Sequence, residues 1–143
     1  MMESMDNREA LKFILGEIHE KIVTQKLSGS REEPYSVGYM CDHTGLPLGN
    51  LLKLIYPLRT LMILDFIDIH DEPETSMIFP SITFEIRAAQ FTIDEFYNLV
   101  LDNCKKGFLI ASVTNIRPVE TSHKQALHTL RKLLEIEETV DEA

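Results

Sequence analysis

The sequence predicts an α+β fold that is mainly α. Two observations carry that expectation. Several stretches place apolar residues at three- and four-residue spacing behind recognisable capping residues, whereas one central run, "ILDFIDIHDEPETSMIFPSITFEI", alternates apolar and polar residues on either side of an acidic turn. A chain of 143 residues that is 44% hydrophobic is long enough to fill one core.

The first helix is expected from about Asn7 to about Val23. Asp6 and Glu9 suit a capping box at its start, and Leu11, Ile14, Leu15, Ile18 and Ile22 fall on one face that must be buried. The polar run "QKLSGSREEP" follows and reads as a surface loop. Ser36 then N-caps a short helix of about Val37 to His43, ended by Gly45, whose missing Cβ permits the left-handed backbone of a tight turn. Leu46 and Pro47 open the next helix, since proline costs nothing in a first turn whose amides have no helical partner.

Cys41 four residues before the turn glycine, Leu46 directly after it, and the apolar pair Leu51 and Leu54 together resemble the helix-turn-helix superfamily. The run "YPLRTLMIL" then resembles the end of a winged-helix recognition helix passing into a strand, with Met62 or a neighbour standing where a glycine is common. Pro57 removes a helix hydrogen bond and clashes with the preceding turn, so the helix should kink or stop near Tyr56. Two strands should follow around "HDEPET", the second continuing through Ile82, Phe84 and Ile86, with Pro80 marking an edge or bulge. What the resemblance implies is a winged helix with a two-stranded wing over residues 1–91, whose second motif helix faces a ligand.

A two-helix C-terminal extension, residues 92–134, is expected next, packed on the first unit or dimerising. Thr92 and Glu95 form a capping box, Phe91 and Phe96 suit a hydrophobic staple, and Lys105 and Lys106 close the helix before Gly107. Phe96, Leu99, Val100 and Cys104 supply its buried side. After the apolar link "FLIASV" and a turn at Arg117 and Pro118, Ser122 and Gln125 suggest a capping box for a last helix of about His123 to Glu137. Its Leu127, Leu130 and Leu134 series is too short for an independent coiled coil, so either the preceding helix or a second copy must cover it. Residues 135–143 read as an acidic flexible tail.

Charge weighs against nucleic acid. The net charge is −9, and from Tyr35 to Phe91 only Lys53, Arg59 and Arg87 stand against seven acids, a formal −4 that repels phosphate. A base-reading helix offers Arg, Lys, Asn, Gln, Ser or Thr in its first turns, whereas this one offers Leu48, Asn50, Leu52, Lys53 and Tyr56. That surface suits a protein partner better. Lys105, Lys106, Arg117, Lys124, Arg131 and Lys132, facing only Glu120, form a basic stretch that either solvates the last helices or contacts an acidic partner or nucleic acid.

No catalytic constellation is legible. Cys41 and His43 are two residues apart on a helix and point to nearly opposite sides, Asp68 and His70 read as an exposed pair beside a turn, and His19, His123 and His128 lack convincing local partners. Neither "GxxxxGK" nor "GxSxG" occurs. The two cysteines, Cys41 and Cys104, lack metal-type spacing and read as reduced thiols, so neither metal nor cofactor is expected. With no apolar run of membrane-spanning length and an acidic N-terminal stretch, the chain reads as cytoplasmic. The sequence therefore points to a non-enzymatic regulatory or adaptor protein that uses a winged-helix scaffold for protein–protein interaction; the alternative is a DNA-binding transcriptional regulator acting as a dimer.

Overall fold

In the computed structural model, Glu9 donates its amide to Asp6 Oδ1 at 2.8 Å and Asp6 donates back to Glu9 Oε1 at 3.4 Å. This reciprocal cap opens helix α1 (Asn7–Ser28), longer than the expected Val23 end. The structure describes residues 5–28, 35–80, 92–106 and 120–135, with the side chains of 22–28, 106, 120, 121 and 123 left aside. Ala10, Leu11, Ile14, Leu15 and Ile18 are fully buried, as their spacing requires. At roughly 1.5–3 kcal/mol per large aliphatic side chain, that face dominates the helix's contribution to stability.

Strand β1 (Tyr35–Ser36) leads directly into α2 (Val37–Thr44). Two residues carry no alternation, so nothing in the sequence marks this strand. Ser36 Oγ accepts from the Tyr39 amide at 3.0 Å, and Gly45 closes α2 at φ 73°, its amide donating to the Cys41 carbonyl at 2.8 Å. Thr44 is wholly buried yet satisfied, its hydroxyl donating to the Met40 carbonyl at 2.8 Å and accepting from the Leu46 amide. Gly38 allows a close approach. A Cβ there would lie 3.1 Å from the Glu74 carbonyl oxygen, so α2 sits close to the 3-10 turn Pro73–Thr75.

Helix α3 (Leu48–Thr60) does not stop near Tyr56. Pro57 lies inside it, buried, and the helix continues because the Leu61 amide still reaches the Pro57 carbonyl at 2.9 Å; only the Lys53 carbonyl loses its usual i+4 donor. The chain then turns at Met62, which takes φ 63° where a glycine would be at ease. Strands β2 (Leu64–Ile67) and β3 (Met77–Pro80) pair antiparallel from Leu64↔Pro80 to Ile67↔Met77. Pro80 is the last residue of β3 and pairs with Leu64; β3 is the central strand, so the edge position expected at this proline is not the one it takes. β1 adds on the far side of β3, giving three antiparallel strands in the order β1-β3-β2 rather than the two expected. The expected continuation through Ile82, Phe84 and Ile86 lies outside the described residues.

Helix α4 (Ile93–Lys106) opens on the predicted capping box, Glu95 donating its amide to Thr92 Oγ1 at 3.1 Å and Thr92 to Glu95 Oε1 at 3.2 Å. Phe96, Val100 and Cys104 are buried, and Leu99 is half-buried. The Phe91 half of the staple, the "FLIASV" link, the Arg117 and Pro118 turn, and the tail from 136 onward lie outside the described residues. Helix α5 (Glu120–Leu133) begins earlier and ends earlier than its sequence implied, so Ser122 is an interior residue and not a cap. The five described helices and the sheet feed one hydrophobic cluster, from Leu11 and Ile14 through Leu51, Leu54, Ile55 and Ile78 to Phe96, Leu127 and Leu130. The architecture is mainly helical with a small three-stranded antiparallel sheet. Among the described residues, no helix is long and apolar enough to cross a membrane.

Candidate functional site

The last helix lies along α3. Between them runs an open groove of about 430 Å³, with Lys53, Tyr56, Pro57 and Thr60 on the α3 wall and Ser122, Gln125, Ala126, Thr129 and Leu133 on the α5 wall. Helical geometry explains both walls. On α3, Leu51, Leu54, Ile55 and Leu58 turn into the core, which leaves the 53, 56, 60 series to face outward; on α5, Leu127, Leu130 and Leu134 turn inward and leave 122, 125 and 129 exposed along the opening. Tyr56 is 43% exposed, and its ring meets Phe66 of β2 edge-on at 5.7 Å, which fixes it at the groove mouth.

Of the five α3 residues singled out from sequence, Lys53 and Tyr56 line the groove. Leu48 and Leu52 are half-buried against the core instead, and Asn50 is exposed but does not line the opening. Of the two covers expected for the C-terminal leucines, the same chain supplies one: Leu127, Leu130 and Leu134 are 1%, 0% and 2% exposed within it. The helix that carries Leu127 and Leu130 packs against both α3 and α4.

The basic stretch is redistributed. Lys105, Lys124 and Lys132 are exposed, whereas Arg131 is half-buried, with its guanidinium 2.9 Å from His128 Nδ1. Arg117 and the Lys106 side chain lie outside the described residues. What sequence reasoning missed is that α5 lies against α3, so that Ser122, Gln125 and Thr129 share a groove with Lys53. Lys53 belongs to the surface expected from sequence, but no local pattern announces which helix will lie against which.

A second surface feature also went unnoticed. Tyr35, Tyr39 and His43 recur at four-residue spacing and form a ladder, with ring centroids 4.9 Å apart for the first pair and 4.0 Å for the second, continued by Phe13 of α1 at 5.8 Å from His43. Lys21 Nζ caps the far end, 4.2 Å from the Tyr35 centroid. The i, i+4, i+8 recurrence was the legible signal. Burial and then the Glu17 carboxylate, its hydrogen-bond partner, push the Tyr35 phenol up, so the ring stays neutral. His43 Nδ1 lies 2.9 Å from the Tyr39 carbonyl, an arrangement that favours a proton on that nitrogen. The ladder clamps α1 to α2.

Neither cysteine is set up as a nucleophile. Cys104 is buried and its thiol is pushed up to about 12 by burial, against a smaller pull from Arg131; burial also raises Cys41, with Asp42 adding to it. Asp68 and His70 meet at 3.7 Å on an exposed turn. Among the described residues, no group of three His, Cys, Asp or Glu side chains is placed to hold a metal ion. Comparison with known proteins gives no match to this chain, whether to a family model, a curated protein or a solved structure.

Proposed function

We propose that the chain is a non-enzymatic regulatory or adaptor module, built on a winged-helix scaffold, that meets a protein partner at the groove between α3 and α5. The scaffold is supported by the order of elements: a short helix, the Gly45 turn, a second helix and an antiparallel strand pair follow one another, with β1 completing the sheet. The observation that carries the function is the groove itself. Tyr56, Pro57, Ala126 and Leu133 give it apolar footing, while Thr60, Ser122, Gln125 and Thr129 supply hydrogen-bonding groups, the mixture that protein interfaces use.

Duplex reading by α3 is disfavoured on steric grounds. A major groove about 12 Å wide admits one helix of about 10–12 Å diameter, and α5 lies beside the outward-facing residues of α3. A photo-crosslinking phenylalanine analogue in place of Tyr56, in the full chain inside the producing cell, should yield adducts with protein. Adducts confined to nucleic acid, or tight and salt-sensitive binding of duplex DNA by the purified protein, would overturn the proposal.

A further inference from the structure

The chain is acidic, but the two helices that wall the groove are not. Helices α3 and α5 carry Lys53, Arg59, Lys124, Arg131 and Lys132 against the single acid Glu120, in a molecule whose net charge is −9. Among the nine residues lining the groove, Lys53 is the charged one and none is Asp or Glu. Arg59 and Lys132 are exposed, each one helical turn from a lining residue, Tyr56 and Thr129 respectively. One cation therefore lines the groove, no acid does, and two more cations stand one turn from its lining.

Resting on the protein-partner assignment above, we propose that the occupant of this groove is an acidic peptide segment of a partner protein, its apolar side chains seated between Tyr56 and Leu133 and its carboxylates directed to Lys53, Arg59 and Lys132. Charge complementarity selects the partner. The rest of the chain's surface repels an acidic segment and the groove attracts it, so the same field that places the partner also keeps it from binding elsewhere. Nucleic acid shares the negative charge but not the fit: the lining offers a single aromatic ring, Tyr56, for stacking, whereas Pro57, Ala126 and Leu133 suit apolar side chains.

The test uses the full-length protein and fluorescently labelled peptides with Leu and Phe at helical spacing and Glu and Asp elsewhere, alongside matched peptides carrying Gln and Asn, or Lys, at the charged positions. The acidic peptide should bind, with affinity falling as salt rises, and its addition should shift the backbone amide resonances of Lys53, Tyr56 and Thr129. Lys53→Glu combined with Lys132→Glu should weaken it by roughly tenfold or more, and Lys53→Arg should restore binding in the single variant. Thr129→Trp fills the groove from an exposed position and should block the peptide while the protein stays folded by circular dichroism. Equal binding of the neutral peptide, no binding of the acidic one, or preference for single-stranded DNA over it overturns the proposal. If the acidic peptide fails while the Tyr56 crosslinker still captures protein, the acidic occupant is wrong and the interaction module stands; if neither result appears, both fall.

Discussion

Arg8 Nε, in the first turn of α1, donates to the carbonyl of Leu134, just past the end of α5, at 2.9 Å. Asn7 beside it donates its side-chain amide to the Leu133 carbonyl at 2.7 Å. Carbonyls at a helix C-terminus have no later amide to accept from, and a guanidinium there also complements the negative end of the helix dipole. Helix α5 is thus capped by residues from the opposite end of the chain.

Replacing Arg8 by Ala should therefore lower stability by about 1 kcal/mol, the net value of one such charged hydrogen bond near solvent. Lysine at this position should recover only part of the loss, because a single ammonium cannot reproduce the guanidinium's contacts with Leu134 and Glu135 together. Urea midpoints of the three proteins decide it; equal midpoints would mean that water caps α5 equally well.

Two left-handed positions should respond in opposite ways. Gly45→Val places a β-branched residue at φ 73°, at a cost of roughly 1–3 kcal/mol from backbone strain, before any disturbance of the α2–α3 turn. Met62 already bears a side chain at φ 63°, so Met62→Asn should hold or raise stability within about 1 kcal/mol, since asparagine tolerates this region better. Unchanged thermal melting for Gly45→Val would remove the turn from that residue.

The C-terminal leucines offer a sharper contrast. Leu130→Lys with Leu134→Lys buries two ammonium groups at positions 0% and 2% exposed, so the expected outcome is an unfolded chain, with a loss well above about 4 kcal/mol. Circular dichroism together with sedimentation equilibrium reads this directly. A double variant that is a folded monomer, from a wild type that is a dimer, would put the leucines back at an intermolecular seam.

Cys104 carries a pH signature. Its thiol is raised to about 12 when folded and returns to an ordinary thiol value on unfolding, so the unfolded state binds fewer protons above that ordinary value. The stability it contributes is complete below the unfolded pKa and is lost as pH climbs toward the folded one. Cys104→Ser, which does not ionise in that range, should flatten the fall in denaturant midpoint between mildly alkaline conditions and pH of about 10; an unchanged slope would assign the fall to other groups.

Local chemistry made most elements legible, and tertiary choice hid the rest. The caps at Asp6, Ser36 and Thr92 and the glycine at 45 declare themselves because each satisfies or releases its own backbone within one turn. Of the kink or stop expected at Pro57, the stop does not occur, because the cost of a helix-interior proline is local, whereas the burial of Pro57 and Leu58 that offsets it depends on the neighbouring elements. The candidate site was half legible. Tyr56 and Lys53 stood out as an odd pair for a base-reading helix, but Thr60, Gln125 and Thr129 join them only through the docking of α5 on α3, which periodicity cannot specify.

The capping of α5 by α1 also bears on how the chain is made. A ribosome delivers α1, α2, α3 and the sheet before α5 exists, so during that interval the flank of α3 later covered by α5 is bare, and Leu11 and Ile14 wait for a core whose last members are still untranslated. Docking of the final helix then closes a loop spanning nearly the whole chain, the kind of long-range contact that sets the pace of folding. The nascent protein is at its stickiest just before α5 emerges, when a chaperone on the exposed side of α3 would have most to protect.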